Sequence, residues 1–214
     1  MGRGHTSKNR IVLCQVRVKS QDPDVIFFIE QWYPVFGLVR KVLEPEYKFV
    51  FPKGFNPSYR NDKGEYPSFA GVVAAIKSGI WVTAAVGGKD YVDQAGKWLN
   101  LEINGCKFLG VHYPQDKNDI TVFKNFHNGV KKFVEQEKPL AIMGDFNTPK
   151  VIGVITIDGY KDLLSAAPTT SALDTKLDYI FLPDNYCGAK AELIQAAMRG
   201  ETIFSDHCAT MVTL

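Results

Sequence analysis

The sequence predicts an α/β protein with two mixed β-sheets packed face to face and helices outside. Three observations carry this. Short apolar runs with strand spacing recur along the whole chain, one long amphipathic helix feeds directly into such a run, and the middle of the chain reads as hairpins. At 214 residues, with no Ser/Gly-rich linker, the chain suits one large domain. It is read as residues 11–214, behind a basic tail at residues 1–10 that is expected to be flexible.

Residues 11–18 alternate apolar positions with Cys14, Gln15 and Arg17, a strand pattern. After a polar break at 20–23, residues 24–29 form a second apolar strand closed by Glu30, an acid that is either solvated there or a ligand. The link between these strands is too short for a crossover helix. Residues 32–66 are aromatic and rich in Pro and Gly; a short helix fits at 35–43, and the remainder reads as strand and loop. Residues 69–76 and 80–86 read as two strands joined at Lys77-Ser78-Gly79, a hairpin with Gly in the turn.

The sharpest hairpin joins residues 98–103 to 107–112 through Asn104-Gly105, because Asn-Gly favours the positive φ of a type I′ turn. Its second strand delivers His112 and Tyr113. Over residues 119–136, Ile120, Phe123, His127, Val130 and Val134 recur on one helical face, which makes His127 a packed or boundary histidine. The helix feeds the apolar run 140–143, too short for a helix and of the right length for a strand buried on both faces. Residues 160–176 read as a mobile stretch, 177–182 as a strand and 209–214 as the closing strand.

A hydrophobic fraction of 45% and a charged fraction of 22% are those of a soluble globular protein. A formal net charge of +2 neither requires nor excludes a polyanionic partner, since a local basic patch suffices. No apolar run approaches membrane-spanning length and residues 1–10 lack the hydrophobic segment of a secretory signal, so a soluble, intracellular, cytoplasmic protein is expected. Cys14, Cys106, Cys187 and Cys208 lack the paired spacing of a zinc site and are expected as buried thiols in a reducing compartment.

Polar residues collect at the predicted strand ends. Gly144 is followed by Asp145 and Asn147, which an extended backbone places on one side. A carboxylate paired with an amide suits orienting a water or holding a phosphate oxygen, although the same residues are turn formers. With Glu30, His112, Asp178, Asp206 and His207 they make five acids or amides and two imidazoles, a set suited to a hard cation, Mg2+ or Mn2+, rather than zinc. Adjacent Asp206 and His207 diverge, so one can face a metal and the other a substrate. Asp178 is the natural carboxylate to orient His207, fixing its tautomer and raising its basicity. The plainer alternatives are a turn between Asp178 and Lys176, and a surface histidine at 207.

Gly144-Asp145-Phe146-Asn147-Thr148-Pro149, Leu177-Asp178-Tyr179-Ile180-Phe181 and Ser205-Asp206-His207-Cys208 resemble, in order and spacing, the three C-terminal motifs of the endonuclease/exonuclease/phosphatase superfamily, the proteins with the DNase I-like fold. Residues 23–30 are similar to its metal-binding-glutamate strand. The resemblance implies a four-layered α/β sandwich that hydrolyses phosphoesters with Mg2+. It implies Glu30 as a metal ligand with Asp206 close to it, Asp145 aligning or deprotonating the attacking water, and Asn147 binding the scissile phosphate. His207, held by Asp178, would stabilise charge on the phosphate or serve as general acid/base. His112 falls where family members place a tyrosine or histidine near the phosphate, with Tyr113 as an adjacent competitor. The chain departs from the family at Gln15, where asparagine is usual, and at Ile29, where the usual pair is Gln-Glu; the family's first helix is also missing. These departures bear on metal affinity and rate more than on reaction class.

The motifs look most like those of abasic-site and DNase-type nucleases, which implies a nucleic-acid substrate, DNA first, and an endonuclease. Arg60, Lys63, Lys117, Lys150 and Arg199 are candidate phosphate contacts on loops. A phosphatase or phosphodiesterase acting on a small or lipid phosphoester would use the same chemistry. A catalytically weakened member acting as a binding protein is a third reading, favoured by Gln15 and Ile29 and opposed by the retained Asp145, Asn147, Asp178, Asp206 and His207.

Overall fold

The structure, a computed structural model, describes residues 20–31, 40–52, 71–87, 96–115, 120–164, 168–170, 175–194, 198–199, 202–203 and 207–214, with the backbone alone at 30–31, 198–199 and 202–203. Strands β1 (Val25–Gln31), β2 (Tyr47–Val50) and β3 (Gly71–Lys77) form an antiparallel sheet in the order β1-β3-β2. A six-stranded sheet contains β4 (Val82–Gly87), β5 (Trp98–Ile103), β6 (Cys106–His112), β7 (Ala141–Asp145), β8 (Tyr160–Asp162) and β9 (Asp178–Pro183), in the order β4-β5-β6-β7-β9-β8. Helix α1 (Ile120–Glu137) joins β6 to β7, which are parallel; the other neighbours in this sheet are antiparallel. β10 (Lys190–Ile194) pairs with β13 (Ala209–Thr213), and β11 (Met198–Arg199) with β12 (Thr202–Ile203). Among the described residues no helix is long and apolar enough to cross a membrane.

Strand alternation sorts the core into slabs. Val72, Ala74 and Ile76 of β3 meet Leu99, Leu101 and Ile103 of β5 between the two sheets. The opposite face of the large sheet, through Trp98, Leu109, Val111, Ile142, Tyr179 and Phe181, takes Phe123, Phe126, Val130, Phe133 and Val134 of α1. The outer face of the small sheet packs Ile26, Tyr47 and Ala75 against Leu43, which lies in a helical segment at 40–43. Helix, sheet, sheet, helix is the four-layered sandwich. At Gly110 an added Cβ would overlap the ring of Phe27, so glycine is what lets β1 lie this close to β6.

The Asn104-Gly105 turn forms as its residues dictate, with φ of 51° and 75°. The expected hairpin of residues 69–76 with 80–86 does not form. A turn is present, with Ile80 N–H on Lys77 O at 3.1 Å, but β3 is already hydrogen-bonded on both edges, to β1 and β2. No edge remains for β4, which crosses to the other sheet and pairs with β5. The stretch 160–176, read as mobile, contributes edge strand β8, and β10 was not anticipated. Buried thiols are also corrected: Cys106, beside the hairpin turn, and Cys187, in the loop after β9, are exposed, and Cys208 is half-buried. The expected strand at 11–18, with Cys14 and Gln15, and all but residues 40–43 of the expected helix at 35–43 lie outside the described residues.

Candidate active site

The end of the large sheet carries a row of polar side chains. His112, the last residue of β6, lies opposite Asp145, the last of β7, and Asp145 lies opposite Asp178, the first of β9. Cross-strand partners project to one face of a sheet. Here it is the face shared with Phe108, which packs against the small sheet, so the row opens at the mouth between the sheets. All three are buried, at 4%, 5% and 8% exposure, and at such depth polar groups persist only when paired. His112 Nε2 is 4.0 Å from Asp145 Oδ2.

His207 joins the row through Asp178. Its Nδ1 is 2.8 Å from Asp178 Oδ2. Lys176, the partner that a simple turn would give Asp178, pairs instead with Asp162 and lies over the Tyr179 ring, 4.6 Å from its centroid. His207 is half-buried and bonded rather than a solvated surface histidine.

Gly144 has φ 142° and an added Cβ would overlap Val111 O, so glycine brings β7 against β6 directly before Asp145. The backbone is not extended beyond it. Asn147 has φ 42°, and its N–H donates to Asp145 Oδ1 at 2.8 Å, an Asx-type turn that fixes the carboxylate. The Asn147 amide donates in turn to Tyr113 O at 3.0 Å. The one-sided arrangement expected from an extended strand is thus replaced by a local turn: the short aspartate side chain captures the backbone two residues on.

Tyr113 serves the site by its backbone, which is a correction. Its ring is fully buried, stacked on Phe146 at 4.6 Å between centroids, and its hydroxyl is 3.0 Å from His127 Nδ1 on α1. Burial holds the phenol well above its usual pKa, so it remains an O–H within the core and does not face a substrate. Burial, followed by nearby Lys131, lowers the pKa of His127, which packs at the boundary as its helical position implies.

Two residues of the site escaped the sequence reading. Lys97 Nζ is 3.0 Å from His112 Nδ1. A signal existed: a two-residue turn at 104–105 sets Ile103 against Cys106, and counting back puts position 97 opposite 112. The other is Thr169, fully buried, whose Oγ1 accepts N–H bonds from Leu177 at 3.0 Å and Asp178 at 2.9 Å, while its carbonyl accepts the Cys208 N–H at 2.8 Å. With Thr170 bridged to His207, it ties the segments bearing Asp178 and His207 together.

Gln15, Asp206, Arg60, Lys63 and Lys117, and the side chains of Glu30 and Arg199, lie outside the described residues; Lys150 is exposed. The backbone places Glu30 at a slip of register in β1 between Phe28 and Gln31. Among the described residues no group of three or more His, Cys, Asp or Glu is placed to hold a metal ion.

Two face-to-face sheets with helical layers outside are the layering of the DNase I-like class, and it is the likeness to solved structures of that fold that places the chain's fold there. Particular solved structures share it. Truncated Caenorhabditis elegans TDP2 aligns with a TM-score of 0.70 at 16% identity, over 98% of this chain and 91% of that one. D. rerio TDP2 complexed with a single-strand DNA product gives 0.72 at 14% identity, over 99% and 94%. The human Nocturnin catalytic domain with bound sulfate gives 0.64 at 17%, over 97% and 87%. At these identities the likeness shows the fold. By sequence the chain matches no protein-family model and no curated protein.

Proposed function

We propose that this chain is a Mg2+-dependent phosphodiesterase that hydrolyses nucleic-acid phosphodiester bonds, with DNA as substrate and internal cleavage as the mode. The observation that carries the reading is the His207–Asp178 pair at 2.8 Å, set beside Asp145 and His112 at one end of one sheet. A D. rerio TDP2 in the same fold is bound to single-strand DNA product, which supports a nucleic-acid substrate over a small or lipid phosphoester.

Asp145, its Oδ1 held by Asn147 N–H, is positioned to align the attacking water and accept its proton as the new P–O bond forms. Asn147 has one amide hydrogen engaged by Tyr113 O; its second is available to a phosphate oxygen. An ionised Asp178 can only accept, so His207 Nδ1 carries a proton towards it, and Nε2, protonated in the imidazolium form, is the atom that donates to the phosphate or gives its proton to the leaving oxygen.

The donor chemistry of the sheet end, carboxylates and an amide, fits a hard cation, and the residues that would hold it are Glu30 and Asp206. Phe27, three residues before Glu30, lies against Gly110, two before His112, which supports β1 reaching the same mouth. When bound, the ion supplies charge stabilisation at the phosphate oxygens.

The purified 214-residue chain incubated with supercoiled plasmid, single-stranded RNA and a generic phosphodiester, each in Mg2+, Mn2+ and EDTA, tests this. Plasmid nicking in Mg2+ that stops in EDTA is expected. No cleavage of any substrate in either metal, or cleavage that persists in EDTA, would refute it.

A further inference from the structure

The polar row does not begin at His112. Lys97, just before β5, lies one strand further out, its carbonyl accepting the His112 backbone N–H at 2.8 Å and its ammonium nitrogen 3.0 Å from His112 Nδ1. Lys97, just before β5, and His112, Asp145 and Asp178 on the next three strands of the sheet therefore lie side by side, and His207 continues the line from Asp178.

We infer that Lys97 is a positioning residue that locks His112 in the Nε2–H tautomer, so that His112 presents a hydrogen-bond donor to the oxygen that reacts beside Asp145. An ammonium has three donors and no acceptor. At 3.0 Å from it, Nδ1 must be the acceptor, which leaves the ring proton on Nε2. Nε2 faces Asp145 Oδ2 at 4.0 Å, too long for a direct hydrogen bond. That span suits one oxygen at about 2.8 Å from each group, receiving from Nε2–H and, if a water, donating to the carboxylate.

His207 is set the other way. Its Nδ1 faces a carboxylate rather than an ammonium, so the proton sits on Nδ1 and Nε2 is the acceptor in the neutral ring. Two imidazoles of one site are thus fixed in opposite tautomers by partners of opposite charge. One is a standing donor; the other can take or give a proton. Two uncoupled histidines would exchange tautomers and offer the reacting oxygen either role.

The inference rests on the phosphodiesterase reading for its purpose but not for its test. The ring-¹⁵N-histidine-labelled 214-residue chain, without substrate and near pH 7.5, reports which nitrogen of each ring is protonated, with His112 assigned from its loss in His112→Gln. The expected pattern is Nε2–H for His112 and Nδ1–H for His207. In Lys97→Met the His112 pattern should become averaged or reversed while that of His207 is unchanged, and Lys97→Arg, which keeps a donor, should restore it. On any phosphodiester that the wild type cleaves, Lys97→Met should lower kcat roughly tenfold with KM within about twofold, the scale of removing a partner that orients a site residue. A wild-type His112 protonated on Nδ1 overturns the inference whether or not the variants fold, and so does a pattern unmoved by Lys97→Met. The expected tautomers in a protein that cleaves nothing would leave the inference standing and refute the proposed function instead.

Discussion

Replacing Thr169 by valine keeps the shape of a fully buried side chain and removes one oxygen. That oxygen accepts two backbone N–H groups, from Leu177 at 3.0 Å and from Asp178 at 2.9 Å. The Asp178 N–H is buried and would be left without an acceptor; the Leu177 N–H is part-buried and would recover some water. A buried donor left unmade costs about 1–3 kcal/mol, so the pair together is worth about 2–4 kcal/mol. Urea unfolding followed by far-ultraviolet circular dichroism reads this directly. With a slope of about 2–3 kcal/mol/M for a domain of this size, Thr169→Val should lower the midpoint by about 1 M at unchanged slope. Thr169→Ser, which retains the oxygen, should lose less than half as much. A Thr169→Val midpoint within roughly 0.2 M of wild type, or a serine variant as unstable as the valine, would refute the reasoning, because the hydroxyl would then hold nothing.

His207→Ala should reduce turnover roughly a hundredfold or more and Asp178→Asn by less, since the second disturbs the orientation of the imidazole without removing it; steady-state kinetics on the cleaved substrate give the order, and a silent Asp178→Asn beside an inactive His207→Ala would uncouple the pair. Glu30→Gln should lower activity by roughly two orders of magnitude at limiting Mg2+, and wild-type activity there would remove Glu30 from the proposed metal site. Acid stability offers a further check at His127, whose pKa is lowered by burial in the folded chain. The unfolded chain then binds the extra proton more readily, so the contribution is fully present above about pH 6.5 and is lost as pH falls through the lower folded value. His127→Asn should flatten the decline of the urea midpoint below about pH 6.5; an identical decline in both proteins would show that His127 does not titrate with folding.

Whatever depends on neighbours along the chain was legible in the residues alone. Asn104-Gly105 required its turn because both residues tolerate positive φ, and the apolar periodicity of 119–136 required a helix with one buried face, formed at Ile120–Glu137. The motif residues Asp145 and Asp178 lie at strand ends because an apolar run must stop where polar side chains begin. The register of the 98–112 hairpin was equally fixed, so Lys97 opposite His112 was legible in principle. Tertiary structure decided what depends on competition between distant segments. Two strands joined by a good turn at 77–80 would pair in isolation, yet β3 gives both edges to β1 and β2 because its side chains are buried on both faces, and β4 finds its partner in the other sheet. Tyr113 and His112 are adjacent and both can bind phosphate, but strand alternation sends one ring into the helix-packed core and the other to the mouth between the sheets. Thr169 gains its role from the backbone N–H groups of segments that only folding brings to it, since a hydroxyl accepts from whatever donor the tertiary structure leaves within 3 Å.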